Sequence, residues 1–168
     1  MLGPDDFRRV LGHFASGVTV ITTRDSEGRP AGLTASAFTS VSLFPPLILV
    51  CVAHNAQSFP VLKASKGFAV NILASSQEAL SNRFASSSST PAQKFEGVSH
   101  QSGSLGYPVL DGALAHLECN TVHAYAGGDH TIFVGQVEAA QGLGDDGLEP
   151  LLYYRGKYSR VNPPPASR

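Results

Sequence analysis

A chain of 168 residues with 42% apolar side chains is long enough to fill one hydrophobic core, and its length suits a single domain. Twelve basic and thirteen acidic residues leave a net charge of −1, which excludes nucleic acid or an anionic membrane as a partner held by bulk electrostatics. Two cysteines, Cys51 and Cys119, make no disulfide framework and point to a reducing, cytoplasmic setting.

The first residues carry acids at Asp5 and Asp6 and no apolar segment, so they do not read as a secretory signal. Phe7, Val10, Leu11 and Phe14 then recur at helical spacing and predict a short amphipathic helix with an acidic start. Residues 18–23 are β-branched and predict a strand, followed by a turn at 26–30. Residues 32–42 are small, hydroxyl-rich and able to extend; Phe44-Pro45-Pro46 ends them, because proline cannot donate to a ladder. Residues 47–53 form a continuous apolar run, too short to cross a bilayer, and predict a strand buried on both faces.

Further on, a short helix is expected over 58–64 and a strand over 68–73. Ser75-Ser-Gln-Glu78 has capping-box spacing and opens a helix that runs to about Phe84. Residues 86–90 are a serine-rich loop, and turn residues stay dense up to Pro108. Strands follow at 113–125, 130–140 and 151–154, with turn signals at Gly127-Gly128 and Asp146-Gly147, and residues 161–168 are an irregular tail. The expectation is one mainly β domain over 1–168: a closed or nearly closed barrel with a few short peripheral helices. The chain lacks the alternating βαβ series of a Rossmann sheet.

The sequence carries no G-x-G-x-x-G after a strand, no Walker loop and no G-x-S-x-G elbow. His116, Cys119 and His123 are close in sequence, but strand alternation puts Cys119 and His123 on one face and His116 on the other, so no metal site is expected. Residues 32–42 offer close backbone approach and hydroxyl donors to a planar heteroaromatic ring and a phosphate; the same composition suits an ordinary strand in a tight barrel. His130 heads a strand after a glycine turn, where it can touch a nicotinamide or simply bond Asp129. Tyr153, Tyr154 and Tyr158 around Arg155-Gly-Lys157 either line a site or rim a hairpin.

Several stretches taken in order carry a resemblance. They are Phe14-Ala-Ser-Gly-Val-Thr-Val-Ile-Thr22, Gly32-Leu-Thr-Ala-Ser-Ala-Phe-Thr-Ser-Val-Ser42, Pro45-Pro-Leu-Ile-Leu-Val-Cys51, Phe68-Ala-Val-Asn-Ile-Leu73, Gly128-Asp-His-Thr-Ile-Phe-Val-Gly135 and Pro150-Leu-Leu-Tyr-Tyr-Arg-Gly-Lys-Tyr158. Together they resemble the flavin reductase-like family, the short-chain reductases that feed two-component flavin monooxygenases. The resemblance implies an FMN-binding split β-barrel, Greek-key-like, working as a homodimer. It implies reduction of FMN or FAD by NADH or NADPH, with reduced flavin diffusing to a separate monooxygenase.

By the same resemblance, Thr34, Ala35, Ser36, Ala37 and Phe38 lie along the isoalloxazine ring. Ser40, Val41, Ser42, Cys51, Val52 and Ala53 add contacts. Asn55 and Ser58 serve the flavin phosphate, with Phe59 standing where relatives often have threonine and Ala37 where they have serine. Phe84, Lys94 and Phe95 fall near the ribityl and phosphate end. Gly128, Asp129 and His130 form the turn beside the nicotinamide, His130 as a positioning residue, and Tyr153 and Tyr158 line the site. A free 2′-phosphate would call for an arginine or lysine near the adenosine, and Arg155 or Lys157 can be argued either way. The rival reading is a flavin-binding or electron-carrier protein on the same barrel. An oxidase of a pyridoxal-type phosphate ester would want a basic cluster that these segments lack.

Overall fold

β-Branched and alternating apolar runs set the long strands, and prolines and glycine turns cut them. The computed structural model describes residues 2–142 and 147–161. In chain order these hold α1 (Pro4–Leu11), β1 (Ser16–Gly17), β2 (Thr19–Arg24), β3 (Pro30–Ala35), β4 (Phe38–Leu43), β5 (Pro46–Ala53), α2 (Phe59–Ala64) and β6 (Gly67–Ile72). A 3-10 turn, Ser75–Gln77, leads into α3 (Glu78–Ala85), and a second, Gln93–Phe95, precedes β7 (His100–Ser102) and β8 (Pro108–Leu110). The chain ends in β9 (Ala115–Gly127), β10 (His130–Gly142), β11 (Leu152–Tyr154) and β12 (Lys157–Ser159).

Seven strands make one antiparallel sheet in the order β3-β2-β6-β9-β10-β5-β4, flanked by a small sheet β1-β11-β12 and the pair β7-β8. The two edges of the large sheet, β3 and β4, are consecutive in sequence with only Ser36 and Ala37 between them. The sheet must therefore roll until its edges meet at that corner, where the Cys51 N–H donates to Ala37 O at 3.0 Å. The mainly β class is as expected. A closed barrel is not formed: no ladder joins β3 to β4, so the sheet stays open along that seam.

One core cluster lies inside the roll, with Ile21, Val50, Phe68, Cys119 and Phe133 buried. A second, including Val18, Val20, Phe84, Phe95 and Leu151, lies between β2, α3 and the chain's end. The strand over 47–53 is not buried on both faces: Ile48, Val50 and Val52 enter the core, while Leu47, Leu49 and Cys51 are half-buried. An all-apolar run hides this period of two. The extended stretch over 32–42 breaks at Ser36-Ala37, because β3 pairs with β2 while β4 pairs with β5.

The first helix keeps its acidic start but ends at Leu11, leaving Phe14 beyond it, and none of its residues is buried. The expected capping box is displaced by one residue: the Gln77 side chain, not Glu78, accepts from a backbone N–H, that of Ala74 at 3.0 Å. Asp146 of the predicted Asp146-Gly147 turn and residues 162–168 of the predicted tail lie outside the described residues. Among the described residues no helix is long and apolar enough to cross a membrane.

Candidate functional site

A cleft of about 440 Å³ opens at the corner where the sheet edges meet, against α3. Its walls are residues 34–37 at the corner, Cys51 and Ala53 on β5, residues 55–57 after it, Phe84 to Ser87 at the end of α3, Lys94 and His130. Gly32 makes this arrangement possible, since an added Cβ there would meet the Phe84 ring at 2.9 Å. Thr34 Oγ1 donates to Ser81 O at 2.6 Å and Ser58 Oγ donates to Gly32 O at 2.6 Å, pinning β3 to α3 and to the start of α2. Gln57 Nε2 donates to Ser87 O at 2.8 Å and bridges the two loops at one end of the cleft.

Near that end lies a buried cation. Lys94 is 3% exposed, and its Nζ donates to Phe84 O at 3.0 Å, a neutral acceptor. Burial holds the Lys94 ammonium below the ordinary lysine value, and among the described residues no carboxylate pairs with it. Asn55, Gln57, Ser86 and Ser87 surround the same end with amide and hydroxyl groups. Burial pushes the Cys51 thiol up, so it enters the cleft as a neutral group and not as a nucleophile.

The opposite end is defined by Ser36 and His130. The β9–β10 turn has Gly128 at φ +70° and places His130 at the head of β10, opposite Ala53. Asp129 Oδ1 accepts from His130 Nδ1 at 2.7 Å, and this bond holds the Asp129 carboxyl below the usual carboxylate range. The two readings of His130 therefore coexist: it bonds Asp129 and also borders the cleft.

Beyond Ser36 and His130 lies a second cleft of about 640 Å³, between α1 and the β11–β12 hairpin, which shares both residues with the first. A smaller hollow of about 170 Å³ connects at Thr34 and Ser36 and is lined by Tyr153 and Tyr158. Those two rings meet edge to face at 5.5 Å, and the Tyr158 hydroxyl is 2.8 Å from Ser81 Oγ.

The structure thus brings Thr34, Ala35, Ser36, Ala37, Cys51, Ala53, Asn55, Phe84, Lys94 and His130 around one cleft. Asp129 and Tyr153 face the second cleft, and Tyr158 the hollow. Others stand elsewhere. Phe38 packs on the core, and Val52 is fully buried in it. Phe95 stacks edge to face on Phe84 within the second core cluster. Ser40, Val41 and Ser42 run along edge strand β4, where Ser42 Oγ accepts from the Phe44 N–H. The Ser58 hydroxyl is committed to Gly32 and only 1% exposed. Gly128 shapes the turn. Gln57, Ser86 and Ser87 were missed as site residues; the serine run after α3 was the available signal.

Cys119 and His123 do not share a face as strand alternation predicts: a bulge at Val122 breaks the alternation of β9, so Cys119 is buried and His123 is exposed. Among the described residues no three metal-ligating side chains gather.

Residues 11–162 match the family model described as "Flavin reductase like domain". The chain is 38% identical over 162 residues to the reductase subunit of a flavin-dependent monooxygenase from Rhodococcus jostii, covering 96% of this chain and 80% of that one. An NADH:FAD oxidoreductase from Streptomyces globisporus, solved with NAD and FAD fragments, superposes with a TM-score of 0.88 at 41% identity, covering 99% of each chain. A putative oxidoreductase structure from Sinorhizobium meliloti superposes with a TM-score of 0.87 at 38% identity over 94% of this chain, which spans only 53% of that longer one.

Proposed function

The chain belongs to the flavin reductase like family, and we propose that it reduces FMN or FAD with NADH at the corner cleft. The observation that carries this reading is Lys94, a buried cation with no acidic partner among the described residues, at the amide- and hydroxyl-rich end of a cleft that opens at its other end past His130. A flavin phosphate fits that donor set, and the small residues of the corner permit close approach of a flat ring.

A bound flavin would supply the two-electron acceptor for the hydride of a reduced nicotinamide. The protein's part is to place and hold. Residues 34–37, Cys51 and Ala53 would hold the ring, and Asn55, Ser86, Ser87 and Lys94 the phosphate. Asp129 orients His130, which positions the nicotinamide from the second cleft. No general base is needed, which fits a site without a catalytic carboxylate pair. A site open on two sides suits flavin that exchanges with a separate monooxygenase, and the Rhodococcus jostii relative is named as the reductase subunit of a flavin-dependent monooxygenase.

We read the rolled sheet as a split barrel and the protein as a cytoplasmic homodimer. Phe14, Leu43 and Phe44 are 81%, 91% and 98% exposed, apolar surface of the kind that a second copy covers.

The test is anaerobic mixing of the protein with NADH and FMN or FAD. Loss of oxidised-flavin absorbance in step with NADH consumption is the expected result. Flavin that binds but stays oxidised would instead make the chain a flavin carrier.

A further inference from the structure

The β11–β12 hairpin turns through Arg155 and Gly156, both with positive φ, +49° and +75°. Such a turn favours Asn-Gly or Gly-Gly, and Arg155 is the one non-glycine residue with positive φ among the described residues. Its backbone does useful work there, donating to Gly12 O at 2.8 Å and so tying α1 to the hairpin. Glycine or asparagine would make the same bond without the steric cost, so the reason for arginine lies in its side chain.

That side chain is held and lacks an anion. Its guanidinium lies 5.3 Å from the centre of the Tyr154 ring and donates to His13 Nδ1 at 3.2 Å. Among the described residues no carboxylate pairs with it, whereas Arg8, on the opposite wall of the same cleft, is paired with Asp5. Arg155 lines the second cleft, the one that meets the first at His130. Phe7 and Leu11 give that cleft an apolar wall suited to a nucleoside.

We infer that Arg155 binds a phosphate of the reduced nicotinamide dinucleotide, holding the part of the donor that extends away from His130. This rests on the reductase reading above. A planar guanidinium held beside a ring, on a residue that lines the cleft, can offer a fork of donors to a phosphate oxyanion.

The test compares Arg155→Gly, which suits the turn, and Arg155→Lys with the unsubstituted chain, after thermal melts show that each is folded. The donors are NADH, NADPH and 1-benzyl-1,4-dihydronicotinamide, which has no phosphate. For Arg155→Gly, kcat/KM for NADH relative to the phosphate-free donor falls by about ten- to a hundredfold, the worth of one charge-assisted hydrogen bond. Calorimetric titration of the FMN-loaded protein with NAD+ shows Kd raised by a similar factor, and Arg155→Lys recovers part of the loss. A larger fall with NADPH than with NADH places the contact at the 2′-phosphate; an equal fall places it at the pyrophosphate. An unchanged donor ratio and Kd, or a change confined to the KM for FAD, overturns the assignment. If the unsubstituted chain oxidises neither NADH nor the benzyl donor, the reductase reading falls, and the assignment with it.

Discussion

On the α3 side of Ser36 and His130, the cleft is walled by side chains that also build the core: Phe84 is 1% exposed and Lys94 3%. On the α1 side, the wall is a helix with no buried residue, tied to the hairpin by the Arg155–Gly12 backbone bond and the Arg155–His13 contact. The first wall is preformed, and a ligand there meets groups already fixed by packing. The second is held by few contacts, so it belongs to the low-stability end of the molecule and its ligand must share in ordering it. Under the proposed reading, the rigid half would serve the flavin and the loosely attached half the hydride donor.

Removing a phenylalanine from each wall tests that difference most strongly. Phe84→Ala is expected to cost about 3–5 kcal/mol, from lost burial and the cavity left under β3. A denaturant melt would show it, and a cost below about 1 kcal/mol would deny that this wall is core. Next in size, Lys94→Met weakens FMN binding by about ten- to a hundredfold while riboflavin, which lacks the phosphate, binds as before. Equal losses for both ligands would remove Lys94 from the phosphate.

A smaller, pH-dependent effect follows from the burial of Lys94, which lowers its pKa from the ordinary 10.5. Between the lowered native value and 10.5 the unfolded chain binds the extra proton, so the ligand-free protein gains stability as pH rises through that window. If Lys94 serves the phosphate as proposed, FMN affinity runs the other way and declines over the same window, because the cation is lost. Fluorescence titrations with FMN and riboflavin across alkaline pH would separate the two trends. The smallest effect is at Phe14, 81% exposed. Phe14→Ala should stay within about 0.5 kcal/mol of the parent in monomer stability, and a larger loss in concentrated solution would point to the dimer surface.

The same contrast explains what could be read from the chain alone. The long strands were legible because β-branched runs and glycine turns are local signals. Strands β7, β8 and β12 were not, because three residues are too few to display a period. Residues 32–42 stood out by composition, and the fold places 33–37 of them at the cleft. Ser58 looked like a ligand donor by residue type, yet its hydroxyl turns inward to Gly32, a direction only tertiary packing decides. Gln57 and Ser87 enter the site because two loops distant in sequence meet across it. Single residues of the second cleft, such as Asp129, His130 and Tyr153, were legible, but its shape was not: it exists only because α1 docks on a hairpin more than 140 residues away, as in the His13–Arg155 contact.

The most direct measurement is steady-state kinetics on His130→Ala and Lys94→Met in parallel, each with NADH varied at fixed flavin and with flavin varied at fixed NADH. Crossed effects are the predicted result: His130→Ala raises the KM for NADH more than it weakens flavin binding, and Lys94→Met raises the KM for FMN with little change for NADH. If His130→Ala leaves the NADH KM unchanged, or if both substitutions act on the same substrate, the division of the site at Ser36 and His130 is contradicted.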